Sequence, residues 1–408
     1  MNIEYYPKIK KNLLEKDINT IRDNKKNWES PFFTDTEAFL NLNEIKEISS
    51  QFTSSEIENI IILGTGGSIQ TLLALKHLSH KNIYPITSSR AVELQNCLEE
   101  TSPNDSLVIP ISRSGKTLDV NSTIGTFLER NYPFLGLSSR GTMNELLKGI
   151  GAPILEVPDL SGRFAASITS VAIVPAYIAQ IDINKFLNGL KTGYDEFMTF
   201  NKNRSLEFAS YIYNLYIKGY KVIFSMPYSS NLEGSVGLFV QEVSESTGKE
   251  GKGLMGTYQE APLCQHSVLE YLLGGTKGAV LPILWSIDKE DPNLALHSSI
   301  KYVDGKSAQE IVKYQADATF QALLEQQVPA TKISIENPSE TQIGNLIAFI
   351  QSTVYYICLL LNVNWANNPK VNIGKQICNK ALERNLPAAE RKKDREKIAQ
   401  EKFKGFFE

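Results

Sequence analysis

The feature that most limits how this chain can fold is a β-branched run that ends in a glycine turn and passes into a helical pattern. Ile57-Glu58-Asn59-Ile60-Ile61-Ile62-Leu63 has the apolar continuity of a strand. Gly64-Thr65-Gly66-Gly67-Ser68 follows it, and helical spacing runs from Ile69 to about Leu78. The unit then recurs. Ser106 to Ile111 reads as a strand, Ser112-Arg113-Ser114-Gly115-Lys116-Thr117 as its turn, and a helix begins near Leu118. Another strand near Phe134 to Leu137 and a turn at Gly141 continue the series. A second series opens at Lys221-Val222-Ile223-Phe224-Ser225-Met226, enters a helix through Tyr228 to Asn231, and includes a strand from Ala279 to Ile287. Strands alternating with helices predict an α/β protein.

At 408 residues the chain is longer than one core usually supports, so two domains are expected. Residues 1–50 read as a helical arm, broken near Ser30-Pro31, with no evident chemistry. The first α/β domain is placed at 51–182 and the second at 183–408, with a helical crossing from about Ile183 to Lys218. The apolar stretch from Leu346 to Val363 is interrupted by Gln351 and Ser352, so a buried core helix is expected rather than a membrane span. The tail from Glu390 to Lys404 mixes charges as a solvated helix does. A net charge of −3, with basic residues scattered, gives no footprint for nucleic acid. The amino terminus has no apolar segment of signal-peptide type, and the four cysteines are too few to staple a secreted fold of this size, so a cytoplasmic protein with free thiols is expected.

Both glycine or hydroxyl turns fall between a strand and a helix start, where free backbone N–H groups and the helix dipole attract an anion. A dinucleotide fingerprint does not fit the first turn: Ile69 occupies the third glycine position, and no acid occurs between Ser68 and Glu93. Gly115-Lys116-Thr117 resembles the end of a P-loop, but Pro110 stands where that loop needs glycine. A single phosphate monoester at these turns, with Ser112, Ser114 and Thr117 as short donors, is the better reading. Capping hydroxyls that bind nothing are the plainer alternative for either turn.

Gln241-Glu242-Val243-Ser244-Glu245-Ser246-Thr247-Gly248-Lys249 places a carboxamide and a carboxylate on one helix face, just before a glycine turn. Glu242, Glu245 and Glu250 are all open as proton-transfer groups on local physics, and a charged helix end is the plainer alternative. Arg163, beside Gly162, reads on its own as a surface arginine paired with Asp159. His266 opens a helix after a loop, and Lys375 follows Gly374 just before a helix expected at Gln376 to Leu382. His77 and His80 lack a third ligand nearby, so no metal site is read.

Taken in order, Gly64 to Ser68, Ser112 to Thr117, Ser161-Gly162-Arg163-Phe164, Gln241 to Lys249, Gln265-His266-Ser267 and Gly374-Lys375 resemble the glucose-6-phosphate isomerase family. The resemblance spans about Ile60 to Lys375. It implies two three-layer α/β/α sandwich domains with mainly parallel sheets, the sugar-isomerase (SIS) fold, with a helical N-terminal arm and a C-terminal helix. It further implies a sugar-phosphate grip from Gly67, Ser68, Ser112, Arg113, Ser114 and Thr117, with Gly67 and Arg113 helping through their backbones. Glu245 would be the isomerising base and Gln241 its companion. Arg163 would stand beside the enediolate, and His266 and Lys375 would open the sugar ring. The family is dimeric, so a homodimer is expected in which His266 serves the neighbouring subunit's site.

The implied reaction is the reversible interconversion of glucose 6-phosphate and fructose 6-phosphate in glycolysis and gluconeogenesis, with no metal or organic cofactor. Two alternatives stand beside it: a broader isomerase that also takes mannose 6-phosphate, and a non-catalytic sugar-phosphate sensor. The sequence departs from the family pattern at Arg113, Lys116, Thr247, Cys264 and Asn368.

Overall fold

The computed structural model of the protein describes residues 1–402; Lys404, in the predicted tail, lies outside the described residues. Two compact units are present, Met1–Ala366 and a second beginning at Asn367. Both sheets belong to the first unit. One sheet has the order β3-β2-β4, from β2 (Asn59–Leu63), β3 (Asn82–Ile86) and β4 (Ser106–Pro110), all parallel. Parallel bridges from Val108 to Phe134 and from Ile111 to Leu137 extend it toward β5 (Gly136–Leu137), which pairs with β6 (Ile154–Leu155).

The other sheet has five strands in the order β1-β10-β9-β7-β8: β7 (Val222–Pro227), β8 (Met255–Tyr258), β9 (Val280–Ile287) and β10 (Ala330–Ile335) are parallel. The fifth, β1 (Asn2–Tyr6), runs antiparallel on the outer side of β10. The arm is therefore helical only after its first residues. Alternation in Asn2-Ile3-Glu4-Tyr5-Tyr6 suits an edge strand, with Ile3 and Tyr5 turned toward the core.

All five residues of β2 and of β4 are buried, as expected of parallel strands covered on both faces. In each sheet the chain moves outward to one side and then returns to the other. The first sheet therefore reverses between β2 and β4, and the second between β7 and β9. Crevices at the carboxyl ends of such reversals are where open α/β sheets hold ligands.

The apolar stretch noted in the sequence is the Glu340–Leu361 helix, buried along nearly its whole length and packed on the Ile183–Phe197, Arg204–Ile217 and Ser230–Thr247 helices. Its approach to Ile183–Phe197 is close because glycines face each other. A Cβ on Gly189 would lie 2.2 Å from the carbonyl oxygen of Thr341, and one on Gly344 would lie 2.3 Å from that of Phe186. Backbone atoms cannot swing away as a side-chain tip does. Gly189→Ala is therefore expected to destabilise the protein by about 1–3 kcal/mol through overpacking. Urea denaturation checks this as a lower midpoint with an unchanged slope.

Candidate active site

The two predicted anion turns lie side by side. Leu63 and Pro110 are paired at the ends of β2 and β4, and Ile111 donates its N–H to the Leu63 carbonyl at 2.8 Å. The Gly66–Ser68 turn therefore stands next to Ser112–Thr117 at the first sheet's reversal. In the second turn the Ser112 and Thr117 hydroxyls are 2.8 Å apart, and Ser114 Oγ accepts from the Lys116 N–H at 3.3 Å. The Arg113 side chain turns away, donating to the Leu160 carbonyl and pairing with Asp159 at 3.3 Å.

Asp159 thus has Arg113 and Arg140 as partners, not Arg163. Arg163 is buried, 4% exposed, and its guanidinium is the hub of the site. It donates from Nε to Ser246 Oγ at 3.2 Å, from one terminal nitrogen to Glu245 Oε2 at 3.1 Å, and from the other to the Trp365 carbonyl at 3.0 Å. The surface-pair alternative fails because the Gly162–Ala165 turn is held inward: Phe164 is fully buried, stacked on Phe33 at 4.9 Å and edge-on to Trp365 at 5.0 Å. Phe33 comes from the N-terminal arm, which gives that arm a part in shaping the site.

Gly67 packs directly on this turn. A Cβ there would lie 2.7 Å from the Arg163 nitrogen, and one on Gly66 would lie 3.2 Å from Gln241 Nε2. Close backbone approach, not flexibility, is why glycine stands at 67. From the long Ser230–Thr247 helix, Gln241 Nε2 donates to Glu245 Oε1 at 3.2 Å. Glu245 therefore receives Arg163 on one oxygen and Gln241 on the other. A cleft of about 600 Å³ begins at Gln241 and is walled by Gln70, Leu73, Gly237, Val240 and Tyr258. Glu245 follows Gln241 by one turn of the same helix, and neither Glu245 nor Arg163 is part of the cleft's lining.

His266 and Lys375, also expected at the site, lie on other elements. His266 ends a short 3₁₀ turn, Leu263–His266, with its side chain exposed. Lys375 lies in the second unit on a helix that spans Val371–Glu383 and has no buried residue. That helix starts five residues earlier than expected. Gly374, read as its boundary, sits inside it, at a cost of only about 1 kcal/mol relative to alanine.

Sequence reasoning missed Lys249 and Gln351. Lys249 donates to the Ser246 carbonyl at 2.7 Å and to the Asn364 carbonyl, and burial pulls its pKa down to about 8. It occupies a glycine-lysine step like Gly374-Lys375, which was a usable signal. Gln351 was read only as an interruption in an apolar helix, yet a fully buried amide calls for buried partners. Its Nε2 donates to Glu242 Oε1 at 2.9 Å and its Oε1 accepts from the Tyr194 hydroxyl. A second cavity, about 470 Å³, opens at the reversal of the second sheet beside Ser229, Asn231, Glu290 and Lys313, and none of the predicted site residues lines it.

No protein-family model matches the chain. Among curated proteins it is 27% identical to a glucose-6-phosphate isomerase of Methanocaldococcus jannaschii, over 79% of this chain and 83% of that one. It is 24% identical to the Campylobacter jejuni glucose-6-phosphate isomerase, over 89% and 95% of the two chains. Among solved structures, a glucose-6-phosphate isomerase from Chlamydia trachomatis superposes with a TM-score of 0.80 at 17% identity, covering 97% of this chain and 91% of that one. A hypothetical protein from Thermus thermophilus superposes with a TM-score of 0.79 at 20% identity, covering 91% and 95%. The paired α/β/α sandwiches of the SIS fold are thus shared across nearly the whole chain. The chain is a SIS-domain protein of the phosphosugar-isomerase superfamily, similar to glucose-6-phosphate isomerases.

Arg163→Met keeps the bulk of the side chain but removes the charged donor to Glu245 Oε2 and the donor to the Trp365 carbonyl. Removing one partner of a buried pair is expected to cost about 3–5 kcal/mol of stability, at the lower end here because Glu245 is part-exposed. Chemical denaturation of the variant beside the parent protein measures it.

Proposed function

We propose that the protein is a cytoplasmic aldose–ketose isomerase that interconverts glucose 6-phosphate and fructose 6-phosphate through an enediolate. The observation that carries this reading is the Glu245 carboxylate held between Arg163 and Gln241, beside two phosphate-type turns. The similarity to glucose-6-phosphate isomerases over most of the chain supports the choice of substrate. In this scheme the turns grip the phosphate through Ser68, Ser112, Ser114, Thr117 and backbone N–H groups at Gly67 and Arg113. Remote binding energy then orients the reacting carbons.

Glu245 takes the proton from one carbon and returns it to the next, a step where a placed base gives about 10²–10⁴-fold. Arg163, always charged and already engaged with Glu245, stabilises the oxygen on which charge develops. His266 and Lys375 supply the acid–base pair for ring opening. A sensor would need the turns alone; the buried arginine–glutamate pair favours catalysis. Glu245→Gln is expected to lower kcat by at least about 10²-fold while sugar-phosphate binding, followed by calorimetry, persists. Unchanged turnover would remove Glu245 as the base. Glucose and mannose 6-phosphates share one enediolate, so assaying both aldoses side by side distinguishes the narrow enzyme from the broad one.

We further propose a homodimer in which His266 completes the neighbouring subunit's site. Its support is the exposed histidine in a stretch that also exposes Leu263 and Tyr271. Mixing Glu245→Gln and His266→Gln proteins under exchange should restore about a quarter of parental activity, because half the dimers are mixed and each has one intact site. A histidine acting within its own chain would restore none.

A further inference from the structure

Behind the Arg163–Glu245 pair lies a second carboxyl that the proposed reaction does not use. Glu242 is completely buried, one turn before Glu245 and Ser246 on the same helix. One of its oxygens accepts from Gln351 Nε2 at 2.9 Å; the other has no hydrogen-bond partner. Gln351 is itself pinned, receiving the Tyr194 hydroxyl on its oxygen and donating also to the Arg163 carbonyl at 3.4 Å. The nearest cation does not turn to this carboxyl. The guanidinium of Arg163 spends its bonds on Ser246, Glu245 and the Trp365 and Ala366 carbonyls.

An ionised carboxylate with one neutral donor and a bare oxygen is among the least favourable groups to bury, whereas an unbonded O–H costs far less. Going beyond the proposed reaction but resting on it, we propose that Glu242 is a positioning residue held as the neutral carboxylic acid. In that form it braces Gln351 and the Arg163 backbone without competing with Glu245 for the arginine's charge. Arg163 then faces a single carboxylate, and Glu245 keeps its place as the one anion at the reaction centre.

Burial decides the direction in which Glu242 is shifted. Burial, the largest influence, raises its pKa to about 8; Gln351 and Arg163 pull it back in part, and Glu245 on its own helix pushes it up. Tyr194 and Cys358, from the two packed helices, are both held neutral by burial. Because the folded pKa lies above the ordinary carboxyl value, the folded state retains a proton that the unfolded chain loses. Stability should therefore fall as pH rises from the ordinary carboxyl range to about 8 and level off above it. Below that range both states hold the proton and the penalty is absent.

The test uses the full-length protein and the Glu242→Gln variant, whose amide copies the acid's shape and its donor. Difference infrared spectroscopy at pH 7 should show a carboxylic-acid C=O band in the parent that the variant lacks. The parent's kcat should decline with a midpoint near pH 8, and the variant should lose that decline, with kcat at pH 6 within about threefold of the parent. Gln351→Leu, which removes the carboxyl's donor, should move the midpoint upward. Absence of the infrared band overturns the proposal, as does a Glu242→Gln loss as deep as that of Glu245→Gln. Survival of the decline in Glu242→Gln assigns it to Lys249, which titrates in the same range, and also overturns it. If the parent isomerises no sugar phosphate, the proposed function fails. The infrared band and the pH dependence of melting then still decide the protonation of Glu242.

Discussion

The site depends on one buried cation. The Arg163 guanidinium joins three parts of the chain that are distant in sequence: its own turn, the end of the Ser230–Thr247 helix, and the backbone at Trp365 and Ala366. A charge so enclosed is tolerable only where its donors are met by an opposite charge and by oxygens. That requirement runs outward through the structure. It fixes Glu245, which Gln241 holds from the other side. It also excludes a side chain at Gly67, because the arginine's own backbone lies against that glycine. The aromatic packing of Phe33, Phe164, Tyr355 and Trp365 closes the rear of the site and keeps water from the turn that bears the arginine.

Much of this was legible in the sequence where the signal is local. The β2 run, the two turns, and the spacing of Gln241 and Glu245 each declare themselves within a few residues, because strand continuity and helical periodicity are short-range patterns. The choice of Glu245 over Glu242 was not legible from local physics, since both acids sit on the same helix. What separates them is what each faces: Arg163 in one case, a neutral amide from a helix more than a hundred positions away in the other. Arg163 itself misled for the same reason. Asp159 is near in sequence, but the aromatic cluster turns the arginine inward toward a partner 82 residues on. The strands β1, β3, β6, β8 and β10 escaped notice because they are short, polar at alternate positions, or, in β3, interrupted by Pro85.

The two sheets use one plan with different fillings. At the first reversal stand the glycines of the Gly66–Ser68 turn and the paired hydroxyls of Ser112 and Thr117. At the second, Glu290 accepts from the Ser229 hydroxyl and from Asn231 Nδ2 at 2.6 Å, so a carboxylate already occupies the corresponding helix start. That carboxylate would repel an anion at the second position.

The pairing of β1 with β10 sets an order of events. Asn2 lies opposite Ser334, and Tyr6 opposite Ala330. During synthesis β1 emerges long before β10, the strand it pairs with. The second sheet cannot be closed along that side until residue 335 is free. Without β1 the margin of β10 would present unpaired N–H and C=O groups, the kind of surface that recruits foreign strands. A strand from the N-terminal arm thus covers the margin of β10 against other chains.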